Sequence, residues 1–213
     1  MSEQTIDLKK RRFLTGATSV VGAVGVGFVA WPFLSTWNPS AKAKAAGAPI
    51  DVDISKLEHG QLIRVFYRKK LTWIFKRDAQ TIANLKTLDA ELADPNSVEG
   101  SKKQQPEYIT QNYRSIRPEI AVMEGVCTHL GCSPTHRPEL GAADLGGDAW
   151  KGGFYCPCHG SKFDLAGRVY AGVPAPTNLK VPKYHFVSDT LIRIGVSPDT
   201  HEVKPIFKSN KLT

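Results

Sequence analysis

Two short motifs rich in cysteine and histidine restrict what this chain can fold into more than any other feature. The first box is Cys127-Thr128-His129-Leu130-Gly131-Cys132, and the second is Cys156-Pro157-Cys158-His159-Gly160-Ser161. Together they contain all 4 cysteines of the 213 residues and two of the 6 histidines. Cysteines concentrated in this way indicate either a metal site or, in an exported protein, a disulfide alone.

Thiolates and imidazoles together suit two kinds of metal centre. One is a Zn²⁺ site, and the other is a two-iron cluster in which sulfur holds one iron and nitrogen holds the other. A cluster held by four cysteines is disfavoured, because it would leave two histidines at repeated positions unexplained. The Cys and His pair in both boxes also argues against a simple disulfide. The sequence therefore predicts a metal centre with mixed thiolate and imidazole ligands.

The two boxes resemble the cluster-binding loops of the Rieske iron–sulfur protein of cytochrome bc complexes. In that family, the first cysteine and the histidine of each loop bind one 2Fe–2S cluster. The resemblance implies that the metal ligands are Cys127, His129, Cys156 and His159. It places the thiolates on the buried iron and the imidazoles on the outer iron. Neutral imidazoles leave such a cluster less negative than an all-thiolate one, so it accepts an electron more readily.

The resemblance also gives roles to residues around the ligands. It pairs Cys132 with Cys158 in a disulfide, which Rieske ferredoxins and the Rieske domains of oxygenases generally lack. Ser161 matches a serine whose hydroxyl hydrogen-bonds a bridging sulfide. Phe163 stands where the family commonly has tyrosine, and the missing hydroxyl predicts a reduction potential below that of tyrosine-bearing relatives. Residues 172–176 resemble the proline-rich loop that covers the third side of the cluster.

The implied function is that of the iron–sulfur subunit of a respiratory quinol–cytochrome c reductase. Oxidised iron makes bound imidazoles more acidic, so electron and proton uptake are coupled at the histidine edge. A quinol releases both, and the family assigns its hydrogen bond chiefly to the second-box histidine, here His159. The electron then passes to a c-type cytochrome. The expected partners are quinol, cytochrome b and a c-type cytochrome subunit, in a dimeric membrane complex.

The N-terminal region combines a basic block with a long uncharged segment. The formal net charge is +8, the basic block runs from Lys9 to Arg12, and no charged residue lies from Phe13 to Ala41. No basic helix interleaved with aromatic residues follows, which argues against nucleic acid binding. A helix over 15–37 would be about 35 Å long and could cross a membrane. The positive-inside rule predicts a single-pass anchor in the inner (plasma) membrane, with the N-terminus cytoplasmic and the soluble domain periplasmic.

The start of this segment resembles a twin-arginine export signal. Its residues are Lys10-Arg11-Arg12-Phe13-Leu14. Twin-arginine export carries folded proteins, which fits a cluster inserted before translocation. Cleavage near the small residues of 41–46 is the alternative, whereas the family keeps this segment as an uncleaved anchor.

These features divide the chain into four regions. Residues 1–14 are the cytoplasmic basic segment, 15–37 the membrane anchor, 38–49 a flexible tether and 50–213 the soluble Rieske-type domain. Within the soluble domain, residues 125–176 form a small cluster-binding subdomain.

Short alternating segments predict a mainly β fold for the soluble domain. The predicted strands are 49–54, 61–67, 71–75, 120–126, 168–171, 183–187 and 191–196, and the predicted helix is 78–92. Residues 137–151, between the boxes, are rich in glycine and show no clear periodicity. The predicted fold class is thus a mainly β Rieske-type domain with one N-terminal transmembrane helix.

Two other functions are weighed against this one. A Rieske-type electron carrier for an oxygenase predicts neither an anchor nor a second cysteine pair, and an oxygenase itself needs a 2-His-1-carboxylate site. A structural zinc module gives no role to Cys132 and Cys158. The histidines outside the boxes are interpreted as ordinary polar residues: His59, His136, His185 and His201. Both ubiquinol and menaquinol remain open as the substrate.

Overall fold

A computed structural model of the protein describes residues 7–98 and 104–198. The chain divides into two compact units, with the boundary between Ala45 and Ala46. His201 lies outside the described residues.

The first unit contains one long helix, α1, which spans Leu8–Ser35. The carboxylate of Asp7 caps it by accepting hydrogen bonds from the backbone N–H groups of Lys9 (3.0 Å) and Lys10 (3.1 Å). This cap starts the helix ahead of the basic block, earlier than the sequence pattern predicts. An 18-residue stretch of α1 has a mean hydropathy of 1.8, so the helix is long and apolar enough to cross a membrane. A short helix, α2, spans Ala41–Ala46 within the predicted tether.

The described residues of the second unit form three antiparallel sheets of three strands each. The strands are β1 Ile50–Asp53, β2 Leu62–Tyr67, β3 Lys70–Lys76, β4 Ile120–Glu124, β5 Thr135–Arg137, β6 Gly153–Tyr155, β7 Lys162–Asp164, β8 Tyr184–Phe186 and β9 Leu191–Ile194. Their orders in the sheets are β1-β9-β8, β2-β3-β4 and β5-β6-β7. Helix α3 spans Ala79–Thr87 and is followed by the 3₁₀ turn Asp89–Glu91. Two further 3₁₀ turns, Ala143–Leu145 and Gly147–Ala149, lie between the boxes. The mainly β prediction is confirmed.

The sheet β2-β3-β4 lies between the other two sheets. Its residues Ile74 and Val122 pack in one core with Ile192 of the sheet β1-β9-β8. Its residues Trp73 and Met123 face the opposite way, into a second core that includes Phe154 and Phe163 of the sheet β5-β6-β7 and the first cysteine of each box. Because both faces of this sheet are covered, β3 and β4 are long apolar runs with little alternation. The middle sheet therefore supports the sheet that carries the second box.

Two predicted elements differ from the structure in extent. Residues 168–171 form only isolated bridges, because side chains occupy backbone groups that a strand would use: Asp164 accepts from the Arg168 N–H (2.7 Å), and Asn178 accepts from the Val169 N–H (2.8 Å). The predicted helix 78–92 ends at Thr87 and tightens into a 3₁₀ turn. The three-residue strands β5, β6 and β7 had no periodic signal, because a strand of that length holds a single alternation.

His136 on β5 gives the domain an expected sensitivity to acid. Its ring lies 5.0 Å from that of Phe75 and 5.4 Å from that of Phe154. Burial, assisted by the positive charge of Arg64, lowers its pKa from 6.5 to about 4. The neutral imidazole is therefore favoured by folding, and its contribution to stability is lost as the pH falls from 6.5 through 4.

We expect His136→Phe to weaken this acid dependence. The thermal midpoint of the wild type should fall more between pH 7 and pH 4.5 than that of the variant, because the variant has no imidazole to protonate. Thermal unfolding of both proteins at the two pH values checks this. Equal acid-induced shifts would show that His136 titrates normally in the fold.

Candidate metal centre

The first box is a tight loop that follows β4. The backbone N–H of Cys127 donates to the carbonyl of Cys132 (2.7 Å), and the N–H of Gly131 donates to the carbonyl of Cys127 (3.0 Å). Gly131 has a φ of +84°, in the left-handed region that favours glycine. The loop therefore turns back on itself immediately after the first cysteine.

The second box, between β6 and β7, repeats the backbone hydrogen bonds of this loop at the same spacing. The N–H of Cys156 donates to the carbonyl of Ser161 (2.8 Å), and the N–H of Gly160 donates to the carbonyl of Cys156 (2.9 Å). Gly160 has a φ of +76°. The two loops are thus equivalent turns, each of which starts with a free cysteine.

The structure brings all four predicted ligand side chains to this pair of loops. Cys127 and Cys156 are free and only 3% and 1% exposed. The sulfur of Cys127 accepts a hydrogen bond from the backbone N–H of His129 and contacts the Cys156 thiol. The rings of His129 and His159 lie 4.7 Å apart, nearly perpendicular. Two thiols therefore lie inside, while the His159 side chain is exposed.

A buried imidazole nitrogen beside two free thiols fits a metal at this site. Nδ1 of His129 is one of six buried side-chain atoms without a hydrogen-bond partner in the described part of the chain, and its loop is the one that carries the free Cys127. An unpaired buried imidazole nitrogen costs free energy unless a ligand meets it. Burial also raises the pKa of the Cys127 thiol, so a cation is needed to hold it as a thiolate. Two thiolates and two imidazoles fit the sulfur and nitrogen ligation of a 2Fe–2S centre of mixed type.

The predicted disulfide is confirmed. Cys132 and Cys158 are bonded to each other, which joins the end of the first loop to the second. Their sulfurs and that of Cys156 all lie within 4.8 Å of one another. This trio is not a ligand set, because two of its members are already in the disulfide. The bond instead fixes the separation of the two loops.

The proline-rich segment 172–176 borders both loops. The Thr128 hydroxyl donates to the carbonyl of Thr177 (2.6 Å), and the N–H of Ala175 donates to the Ser161 hydroxyl (3.0 Å). Ser161 is fully buried and contacts the Cys127 sulfur. Phe163 is also fully buried, in the same core as both free cysteines. It brings no hydroxyl to this position.

Sequence analysis missed an aromatic support beneath the loops. Trp73 of β3 stacks on Phe154, two residues before Cys156, with ring centroids 4.6 Å apart. It also covers Gly125, two residues before Cys127, where an added Cβ would lie 2.3 Å from the indole. One buried side chain thus contacts the start of both loops. The glycine immediately after a strand and before the first box was the available signal.

A buried charged network, also missed, holds the turn after β7. The Asp164 carboxylate accepts from the Nε of Arg168 (2.7 Å), and both side chains are fully buried. Arg114 donates to the carbonyls of Ala166 and Gly167 (3.1 Å each). Desolvation lowers the pKa of Arg114 to about 10. This network fixes the segment that links the second box to the proline-rich segment.

Comparison with known proteins agrees with this geometry. Residues 89–185 match the family model of the Rieske [2Fe-2S] domain, and residues 1–40 match a model described as the ubiquitinol-cytochrome C reductase Fe-S subunit TAT signal. The ubiquinol-cytochrome c reductase iron-sulfur subunit of Allochromatium vinosum is 55% identical over 195 residues, which cover 92% of each chain. That of Blastochloris viridis is 45% identical over 195 residues, covering 91% of this chain and 97% of the relative.

Proposed function

The chain belongs to the Rieske iron–sulfur subunits of ubiquinol–cytochrome c reductase, and on that premise we propose that its two equivalent loops hold the 2Fe–2S cluster through four residues. Cys127 and Cys156 are the thiolate ligands, and His129 and His159 are the imidazole ligands. The observation that carries this assignment is the partnerless Nδ1 of His129, buried beside two free and buried thiols. The disulfide holds the loops at a fixed separation.

The two cysteines of this ligand set are buried, whereas His159 is exposed to solvent. When bound, the cluster supplies a carrier for one electron. Cys127 and Cys156 keep its sulfur side away from water, because both are almost fully buried. His159 is exposed, so the ring nitrogen not bound to metal can accept a hydrogen bond from a quinol hydroxyl and take up its proton. His129 lies beside it as the second imidazole.

The chain works as one subunit of a membrane complex. Quinol is oxidised at the His159 edge next to a cytochrome b subunit. One electron would pass through the cluster site to a c-type cytochrome, and the second would pass to a b-type haem of the cytochrome b subunit. Helix α1 anchors the chain in the inner membrane, with the N-terminus cytoplasmic and the second unit periplasmic. Residues 38–49 act as the tether, and residues 125–176 as the cluster-binding subdomain. The assembly is dimeric, and the chain is retained by its anchor after export.

Electron paramagnetic resonance of the full-length protein in membranes tests this function. A Rieske-type signal that is already present after reduction with ascorbate is expected, because imidazole ligation raises the potential of the cluster. A signal that appears only with dithionite would contradict quinol oxidation. Zinc in place of iron, together with no signal, would replace the proposal by a structural zinc module.

Phe163→Tyr is expected to raise the reduction potential. A tyrosine hydroxyl at this position would donate a hydrogen bond toward a ligand sulfur, and such a bond strengthens when the cluster is reduced. A gain of about 1 kcal/mol on reduction corresponds to roughly 40 mV for a one-electron couple. Redox titration followed by electron paramagnetic resonance measures the shift. Phe186→Tyr on β8 is the matched control and should leave the potential unchanged, whereas an unchanged or lowered potential in Phe163→Tyr would refute the role of position 163.

A further inference from the structure

We propose that the tip of the β2–β3 hairpin is a contact surface for anionic lipid headgroups of the membrane in which this chain is anchored. The surface, here termed the basic hairpin tip, comprises Phe66, Arg68, Lys69 and Lys70. This inference rests on the membrane anchor of the proposed function. It concerns a face of the second unit that has no part in holding the cluster.

The turn keeps two cationic residues in a backbone conformation that favours glycine. Tyr67 pairs with Lys70, so Arg68 and Lys69 are the two central residues of the turn. Their φ angles are +49° and +62°. Two-residue hairpin turns of this kind prefer asparagine or glycine, because other side chains are strained there. Arg68 and Lys69 thus place two positive charges side by side in a turn whose backbone conformation favours glycine or asparagine.

An exposed aromatic side chain lies next to these charges. Phe66 is 74% exposed. In the part of the second unit that the structure describes, no other aromatic side chain is among the exposed large hydrophobic residues. Alternation along β2 puts Phe66 on the same face as the exposed Arg64. An aromatic ring beside cationic side chains suits the boundary between headgroups and acyl chains.

The short connection to the anchor limits how far this tip can lie from the membrane. The Arg68 guanidinium donates to the carbonyl of Gly47 (3.4 Å), where the second unit begins. The apolar segment ends at Trp37, and Gly47 lies ten residues further along the chain. Six of these ten residues form α2. At about 1.5 Å per helical residue and about 3.4 Å per extended residue, the chain from Trp37 to Gly47 can span at most roughly 25 Å. The intervening segment adds the positive charges of Lys42 and Lys44.

The charge around the tip is predominantly positive. A cleft of about 750 Å³ beside it is lined by Arg68, Lys70, Lys180 and Lys183. The carboxylates on this cleft are Glu107 and Glu124, and Glu124 pairs with Lys70 (2.8 Å) and Lys180 (3.9 Å). Lys69 is exposed and makes no ion pair among the described residues. The uncompensated charge therefore favours a polyanionic surface such as phospholipid headgroups.

Lysine modification of the full-length protein in vesicles tests the surface. The protein is reconstituted in phosphatidylcholine alone or mixed with phosphatidylglycerol, and mass spectrometry follows acylation of Lys69 by a water-soluble reagent. The exposed Lys86 of α3 is the reference within the same molecule. Lys69 is expected to react about fivefold more slowly in the anionic vesicles, because the attraction of one basic residue to an anionic surface corresponds to about this factor. Lys86 is expected to react at the same rate in both kinds of vesicle. Salt near 1 M should restore the rate, because the Debye length falls to about 3 Å.

Variants and spectra separate the possible outcomes. Phe66→Ser and Arg68→Gln should reduce the protection of Lys69, whereas Arg117→Gln, a half-buried control elsewhere in the domain, should not. Equal Lys69 rates in both vesicles would overturn the proposal, and so would protection that appears only when other subunits of the complex are present. An ascorbate-reduced cluster signal and retention of the chain after alkaline carbonate washing are recorded on the same vesicles. If the cluster signal and the membrane retention are both present but Lys69 is not protected, only the lipid surface is rejected. If the cluster signal or the membrane retention is missing, the proposed function is contradicted.

Discussion

Cys156→Ser and His159→Gln are each expected to abolish the cluster signal and to lower quinol oxidation by the assembled complex more than about 100-fold. Substitution of a residue that only supports a metal ligand typically lowers metal affinity or activity 10- to 100-fold, and substitution of a ligand itself should lower them further. No other thiol can replace Cys156, because Cys132 and Cys158 are joined in the disulfide. Electron paramagnetic resonance and iron analysis of the purified variants, together with turnover, measure both effects.

His59→Gln is the matched control for these variants. His59 is an exposed histidine whose Nδ1 lies 3.0 Å from the carbonyl oxygen of Arg77, outside both boxes. It should keep the full signal and full turnover. If His159→Gln retained a wild-type signal, His159 would not be a ligand. If His59→Gln lost the signal as well, the losses would reflect general damage to the fold.

The candidate site could be read from the sequence because its residues are local. Each box places its proposed ligands within four consecutive residues, so the spacing in the sequence is nearly the spacing in space. The resemblance then assigned Cys132 and Cys158 to a disulfide, which the structure confirms. Likewise, the uncharged run after Arg12 predicted α1, because membrane-spanning length and composition are properties of one continuous segment.

The supports of the site were not predictable, because they are contacts between distant segments. Trp73 belongs to a strand far from either box, yet it contacts Gly125 and stacks on Phe154. Arg114 reaches carbonyls more than 50 residues later in the chain. Apolar periodicity reports which face of an element is buried, but it does not report which element covers that face. A buried arginine gives even less signal, since most arginines are exposed.

The buried network supplies the second large expected effect. Asp164→Asn is expected to lower the free energy of unfolding by about 3–5 kcal/mol, because it removes the buried carboxylate partner of Arg168 and leaves that guanidinium only the partly exposed carboxylate of Asp89 (2.6 Å). The Asp164 carboxylate also accepts from the N–H groups of Ala166 (2.9 Å) and Arg168 (2.7 Å), so the turn after β7 should loosen. Urea unfolding of the full-length protein in detergent measures the loss.

Asp51→Asn is the matched control, since Asp51 makes an equally well-formed double hydrogen bond to Arg193 (2.6 and 2.7 Å) across β1 and β9. That pair is 34% and 40% exposed, and exposed pairs are worth only about 0.2–1 kcal/mol because water already solvates both charges. The two variants differ in burial and in the backbone hydrogen bonds that Asp164 accepts, so the excess loss in Asp164→Asn measures both contributions of the buried carboxylate. Equal losses would mean that the buried Asp164 carboxylate stabilises the fold no more than an exposed one, in which case the network could not hold the second box in place.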